Sequence, residues 1–203
     1  GATIENGLIG KHAGLAQVSE VERLIGDRKP DVVLLSVGGN DIGFGKTMAE
    51  CVLPILDCSD ENLKPEFKSL GKDFDALSTA MKKKIAPDAK RVYITQYYSY
   101  MRDENGKMCS SVGTTSEESQ WVEEKALPAL NKEIQTAAQR AGWTYVSGIA
   151  DKFKTHGSCA SDSKRWVRTI TEAFAMQGNV RGAFHPNEAG QSAIADVLVD
   201  AEK

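Results

Sequence analysis

Two short segments, far apart in a chain of 203 residues, carry the residue types that acyl transfer needs. In Ser36-Val37-Gly38-Gly39-Asn40-Asp41, Asn40 offers an amide with two N–H donors and Asp41 a carboxylate that can fix the loop by accepting backbone N–H groups. Gly38 and Gly39 allow a sharp turn there and leave room for a substrate. Near the other end, Phe184-His185-Pro186-Asn187-Glu188-Ala189-Gly190-Gln191 sets His185 at the mouth of an amphipathic run from Ser192 to Ala201. An amide donor stabilises a developing oxyanion and a histidine serves as general base, so the pair points to acyl-transfer chemistry.

The flanking elements explain why these residues are exposed to a substrate. Val32-Val33-Leu34-Leu35, after Pro30-Asp31, reads as a strand over 31 to 37 buried on both faces, as in parallel sheets covered by helices. Asn40 then stands just beyond a carboxyl strand end, where ligands bind in such folds. A helix is expected from about Leu15 to Asp27. Another spans Pro65 to Ile85, where Phe67, Leu70, Phe74, Leu77 and Met81 recur at helical spacing before Pro87 stops it. Arg91 to Thr95 is the next strand. Glu117 to Ala141 is a long helix, interrupted or bent near Pro128 and capped by Gly142, and Trp143 to Val146 is a strand. The last helix runs from about Asn187 to Val199. Helix and strand alternating at this spacing give a parallel, three-layer α/β/α sheet, with no internal repeat or low-complexity segment.

With Gly38-Gly39-Asn40-Asp41 and His185-Pro186 in this order and on these elements, the chain resembles the SGNH (GDSL) hydrolases, nearest to their secreted actinobacterial esterase and lipase branch. Gly1-Ala2-Thr3-Ile4-Glu5-Asn6-Gly7 also looks like the family's second block, whose glycine N–H joins the oxyanion hole. The resemblance implies a flavodoxin-like sheet in a single domain over 1–203. It implies that His185 is the base, that Asn40 and the Gly1 N–H hold the oxyanion, and that no cofactor or metal is used. The family's nucleophile is the serine of a Gly-Asp-Ser turn, and these 203 residues contain none; Gly26-Asp27-Arg28 is the nearest approach. The first strand and its serine are therefore expected upstream, or on a second polypeptide that pairs with residues 31 to 37. The family also sets an Asp three residues before the catalytic histidine, but here that position is Gly182, whose backbone carbonyl becomes the candidate orienter of the imidazole.

The remaining features narrow the function. A net charge of -3 without a basic stripe argues against a nucleic-acid partner, and no stretch reaches the length of a membrane span. A hydrophobic fraction of 41% is ordinary for a globular chain. Lys82-Lys83-Lys84 reads as a solvated helix end. Four cysteines allow three pairings; the loops holding them favour Cys51 with Cys58 and Cys109 with Cys159, and disulfides of this kind in the resembled branch imply export. Gly39, Tyr97 and Tyr98 are candidate substrate contacts, the tyrosines as readily core as pocket wall. His12 and His156 lack a motif. Gly45-Lys46-Thr47 imitates a phosphate loop, but its first glycine position is Asn40 and Asp41 would repel phosphate. The expected function is thus a secreted serine esterase acting on esters of lipids, small acyl groups or acetylated sugars. The contrasting reading is a catalytically inactive carbohydrate-binding or interaction module on the same fold.

Overall fold

The computed structural model describes residues 1–43, 60–109 and 116–203. In chain order they form α1 (Gln17–Ile25), β1 (Val33–Leu35), α2 (Asp60–Lys84), β2 (Val92–Thr95), α3 (Ser116–Trp121), α4 (Leu127–Ala141), β3 (Thr144–Val146), α5 (Ile149–Phe153), α6 (Ile170–Gln177) and α7 (Glu188–Glu202). The three strands make one sheet in the order β1-β2-β3. β1 and β2 are parallel, with Val33 opposite Val92, Leu34 opposite Tyr93 and Leu35 opposite Ile94. Two compact units share the chain. Of the described residues, the first comprises 1–43, 60–95 and 130–145, and the second 96–109, 116–129 and 146–203.

In the first unit the helical spacing expected over Pro65 to Ile85 becomes a buried stripe. Leu70, Phe74, Leu77 and Met81 of α2 are buried, as are Val92 and Ile94 of β2 and Leu130, Ile134, Ala137 and Ala138 of α4. Full burial of a large apolar side chain contributes about 1.5–3 kcal/mol, so this stripe dominates the stability of the unit. The surface ion pairs from Lys84 to Glu22, 2.6 Å, and from Arg140 to Asp75, 3.0 Å, add little. One expectation fails. β1 is not buried on both faces: Leu34 is 59% exposed, and Val33 and Leu35 are half-buried. Among the described residues β1 has a strand on one side only, so its apolar side chains lack half of the cover a central strand receives.

The second unit is closed by the packing of α7. A Cβ on Gly190 would lie 2.3 Å from the Trp166 carbonyl oxygen, so only glycine lets the helix approach that segment. The bend expected near Pro128 is a π turn, Val122–Ala126, joining α3 to α4. The Leu127 N–H bonds back to the Val122 carbonyl, five residues away, just before Pro128, which has no N–H to continue the ladder. Two short helices, α5 and α6, occupy a stretch that periodicity leaves unassigned. Thr169 caps α6 in a reciprocal box with Glu172.

Cys109 and Cys159 form a disulfide, as expected, across a separation of 50 residues. Cys51 and Cys58 lie outside the described residues. In the chain-entropy description a bridge closing a loop of that size contributes about 4 kcal/mol. Replacing both Cys109 and Cys159 by Ser is expected to lower the unfolding free energy by up to that amount in urea titrations without reductant. An unchanged midpoint would show that the unfolded chain is not constrained by this bridge.

Candidate active site

In the first unit a tight turn carries the amide donor. The Gly38 carbonyl accepts the Asp41 N–H, 3.1 Å, and the Ile42 N–H, 3.3 Å, while the Asn40 carbonyl accepts the Gly43 N–H, 3.1 Å. Gly38 has φ 118°, a conformation that an L side chain rarely adopts, and a Cβ there would press on Leu130 and Phe74 at 3.4 Å. Asn40 is exposed at the tip, with Gly39 buried beside it. The Asn40 Nδ2 donates to the Ala2 carbonyl at 2.9 Å, and a Cβ on Gly1 would fall only 2.3 Å from that nitrogen. Gly1 and Asn40 are therefore packed together, and a side chain at position 1 would displace the Asn40 amide. Of the two Nδ2 hydrogens, the Ala2 carbonyl engages one.

Asp41 ties the opening segment to this turn. Its Oδ1 accepts the Ile4 N–H at 2.7 Å, and Ile4 is fully buried. Its Oδ2 is buried without a hydrogen-bond partner among the described residues. Desolvation raises the Asp41 carboxyl above the ordinary carboxylate range; the Ile4 N–H opposes that shift, and the negative charge of Asp73 adds to it.

In the second unit His185 is exposed two residues before the N-cap of α7. Asn187 caps that helix by accepting the Gly190 N–H at 3.0 Å, and its own amide donates to the Arg165 carbonyl at 2.7 Å. The His185 Nδ1 lies 3.1 Å from the Ala183 carbonyl oxygen. This corrects the expectation for Gly182, whose carbonyl instead accepts the backbone N–H of His185 at 3.3 Å. With Nδ1 donating to a carbonyl, Nε2 is the nitrogen left to receive a proton. Phe184, between them, has φ 62°, the left-handed region, which costs a non-glycine residue on the order of 1–3 kcal/mol.

Tyr98 is half-buried. Its ring stacks on Phe153 with centroids 4.2 Å apart, its hydroxyl donates to the Phe184 carbonyl at 2.9 Å, and burial pushes its phenol well above the usual range. Tyr97 is half-buried. His156 stacks on Trp166 at 3.7 Å with Nδ1 against the Lys164 carbonyl, and His12 lies in an exposed turn. Gly45-Lys46-Thr47 lies outside the described residues. Among the described residues no group of three or more His, Cys, Asp or Glu side chains could hold a metal ion. Sequence reasoning missed Ala183 and Phe184. Nothing in a sequence marks which carbonyl meets an imidazole, or which phenylalanine takes a left-handed backbone.

The chain belongs to the GDSL-like lipase/acylhydrolase family, whose model matches residues 1–193. Lipase 1 of Streptomyces coelicolor is 28% identical over 165 residues, covering 79% of this chain and 56% of that protein. This chain thus spans little more than half the length of that relative. Phospholipase A1 from Streptomyces albidoflavus NA297 superposes with a TM-score of 0.65 at 23% identity, over 89% of this chain and 74% of that one. An extracellular lipase from Streptomyces rimosus gives 0.66 at 21% identity, over 84% and 69%. These likenesses establish the three-layer α/β/α hydrolase fold with its parallel sheet.

The Asp41 shift has a sign that can be measured. Its carboxyl is raised in the folded state, so the stability it contributes is present while it is protonated, and is lost as pH rises from the ordinary carboxylate range through the raised value. Asp41→Asn keeps an oxygen for the Ile4 N–H and removes the charge. The variant should gain stability over the parent as pH increases from about 4 to about 7, read as urea midpoints at each pH. A gain confined to the acid end would contradict the burial of a raised carboxyl.

Proposed function

We propose that this chain is the oxyanion-and-base portion of a secreted serine ester hydrolase, working within a single hydrolase domain over 1–203. The observation that carries the reading is the packing of the Asn40 amide on Gly1, with one Nδ2 hydrogen engaged by the Ala2 carbonyl and one left over. A serine Oγ attacks the acyl carbonyl while His185 Nε2 takes its proton. The oxyanion of the tetrahedral intermediate is held by the Asn40 amide and the Gly1 N–H. The intermediate collapses to an acyl-enzyme as His185 returns the proton to the leaving alcohol, and water then releases the acid by the same steps. Gly39 and Tyr97 contact the substrate in this reading. The half-buried Tyr98 bonds the Phe184 carbonyl, and the Ala183 carbonyl orients the imidazole.

The serine comes from a segment not among these 203 residues, an upstream stretch of the same gene product or a second polypeptide. β1 supports this: among the described residues it has a strand on one side only, and an unpaired apolar edge is an aggregation hazard unless another strand pairs with it. A serine-bearing strand paired along β1 would do so. Carboxylic esters of lipids are the leading substrates, because the relatives are named lipases and a phospholipase A1. Short acyl esters and acetylated sugars follow. The Cys109–Cys159 bridge supports export.

Labelling of the complete protein by a serine-directed fluorophosphonate is expected, and its absence would favour a non-catalytic module. In that protein His185→Ala should abolish hydrolysis of a p-nitrophenyl ester. Asn40→Ala should lower kcat by roughly 10²- to 10³-fold, about 2.7–4 kcal/mol, with KM changing less. Full kcat in the Asn40 variant would remove Asn40 from the oxyanion hole.

A further inference from the structure

The peptide group that carries His185 is held from every side. Its carbonyl end, at Phe184, accepts the Tyr98 hydroxyl at 2.9 Å, and its N–H end, at His185, donates to the Gly182 carbonyl at 3.3 Å. The neighbouring groups are held too. The Phe184 N–H donates to the Arg168 carbonyl at 2.8 Å, and the Arg168 N–H donates to the His185 carbonyl at 2.9 Å. The Phe184 backbone is in the left-handed region, φ 62°, and its ring meets Tyr100 with centroids 4.9 Å apart. A phenylalanine keeps that backbone conformation only where its surroundings over-determine it. Of these hydrogen bonds, the Tyr98 bond is the one made by a side chain, and it spans 86 residues of chain.

We infer that Tyr98 is a positioning residue. By holding the Phe184 carbonyl it fixes the plane of the Phe184–His185 peptide, and with it the approach of the His185 Nδ1 to the Ala183 carbonyl. That contact sets the tautomer in which Nε2 is free to take a proton. The hydroxyl is placed for this by the stack of the Tyr98 ring on Phe153, whose other neighbour, Trp166, meets it edge-on at 5.3 Å. Trp166 in turn accepts the Asn187 N–H at 2.8 Å through its carbonyl, so the aromatic group reaches both the histidine turn and the cap of α7. The ionisable groups on the segments that meet at the turn are Arg168, Arg181 and Glu188, with Tyr100 in the core. None of these side chains has a hydrogen bond to the imidazole of His185, whose Nδ1 contact is a neutral carbonyl. The orientation of the ring therefore depends on where the backbone is held.

The role assigned to Tyr98 rests on His185 being the general base, and the test separates the two. Tyr98→Phe retains the ring, and so the stack on Phe153, and removes only the hydroxyl. In the complete protein kcat for ester hydrolysis is expected to fall about tenfold with KM changed by less than about twofold, the effect of a misplaced catalytic group rather than of weakened binding. Nitrogen NMR of the imidazole should find His185 chiefly with the proton on Nδ1 in the parent, and shifted toward the Nε2-protonated form in Tyr98→Phe. An unchanged tautomer and an unchanged kcat in that variant would overturn the inference, as would a loss of thermal stability with kcat intact. If His185→Ala kept its activity, the acyl-transfer reading would fail instead, and the NMR comparison would still decide whether Tyr98 orients the imidazole.

Discussion

The hydrogen bond from the Ile4 N–H to the Asp41 carboxylate, 2.7 Å long across 37 residues of chain, is the contact on which the packing of Gly1 against Asn40, the proposed oxyanion donors, depends. It holds the opening segment against the turn after β1, so that Gly1 and Asn40 meet where a Cβ would displace the Asn40 amide. Both partners are constrained from behind. Ile4 is fully buried, and the turn is closed by two N–H groups on the Gly38 carbonyl. Replacing the carboxylate by an apolar group would leave the Ile4 N–H buried and unsatisfied, at about 1–3 kcal/mol. It would also release the segment that packs on Asn40.

The same carboxylate is locally unfavourable. One oxygen is satisfied, but the other is buried and unpartnered among the described residues, and Asp73 adds like charge. A neutral amide at position 41 could accept the same N–H without that penalty. A group that departs from the best choice for stability is more often found at a working site than in the supporting core. Phe184 is a second such departure, a bulky residue in a left-handed backbone immediately before the proposed base. Both occur on the turns that carry the proposed oxyanion donor and base. By contrast α2, with Leu70, Phe74, Leu77 and Met81 buried in one stripe, follows its helical period.

Much of the fold was legible because burial writes a period into the chain. The stripe on α2, the strand at Val92–Thr95 and the helix after Pro186 all lie where apolar spacing and the stop and start residues set them. β1 misled for a physical reason: four apolar residues report what a strand face is suited to meet, and say nothing of whether a neighbour is present to meet it. Leu34 is exposed accordingly. α6 was readable in principle from Thr169-Ile170-Thr171-Glu172 followed by Gly178, a capping box and a left-handed C-terminal glycine, but its eight residues are too few for a clear period. The π turn before Pro128 could be anticipated as an interruption. Its form depends on the Leu127 N–H choosing Val122, which no residue type dictates.

The site divides along the same line. Side-chain chemistry was visible: an amide after a glycine pair, a histidine before a proline, a carboxylate that fixes a loop. Backbone chemistry was not, because every residue but proline carries the same N–H and C=O. Whether Gly182 or Ala183 meets the imidazole is decided by the left-handed turn at Phe184, where Gly182 is drawn to the backbone N–H of His185 and Ala183 is left for Nδ1. That turn is in its own way set by distant groups, the Arg168 backbone and the Tyr98 hydroxyl, neither of which is near in sequence. Tyr98 illustrates the consequence. As a residue type beyond a strand end it suits a pocket wall and a core equally, and only its bond to a carbonyl 86 residues away distinguishes a side chain that touches substrate from one that orients the group that does.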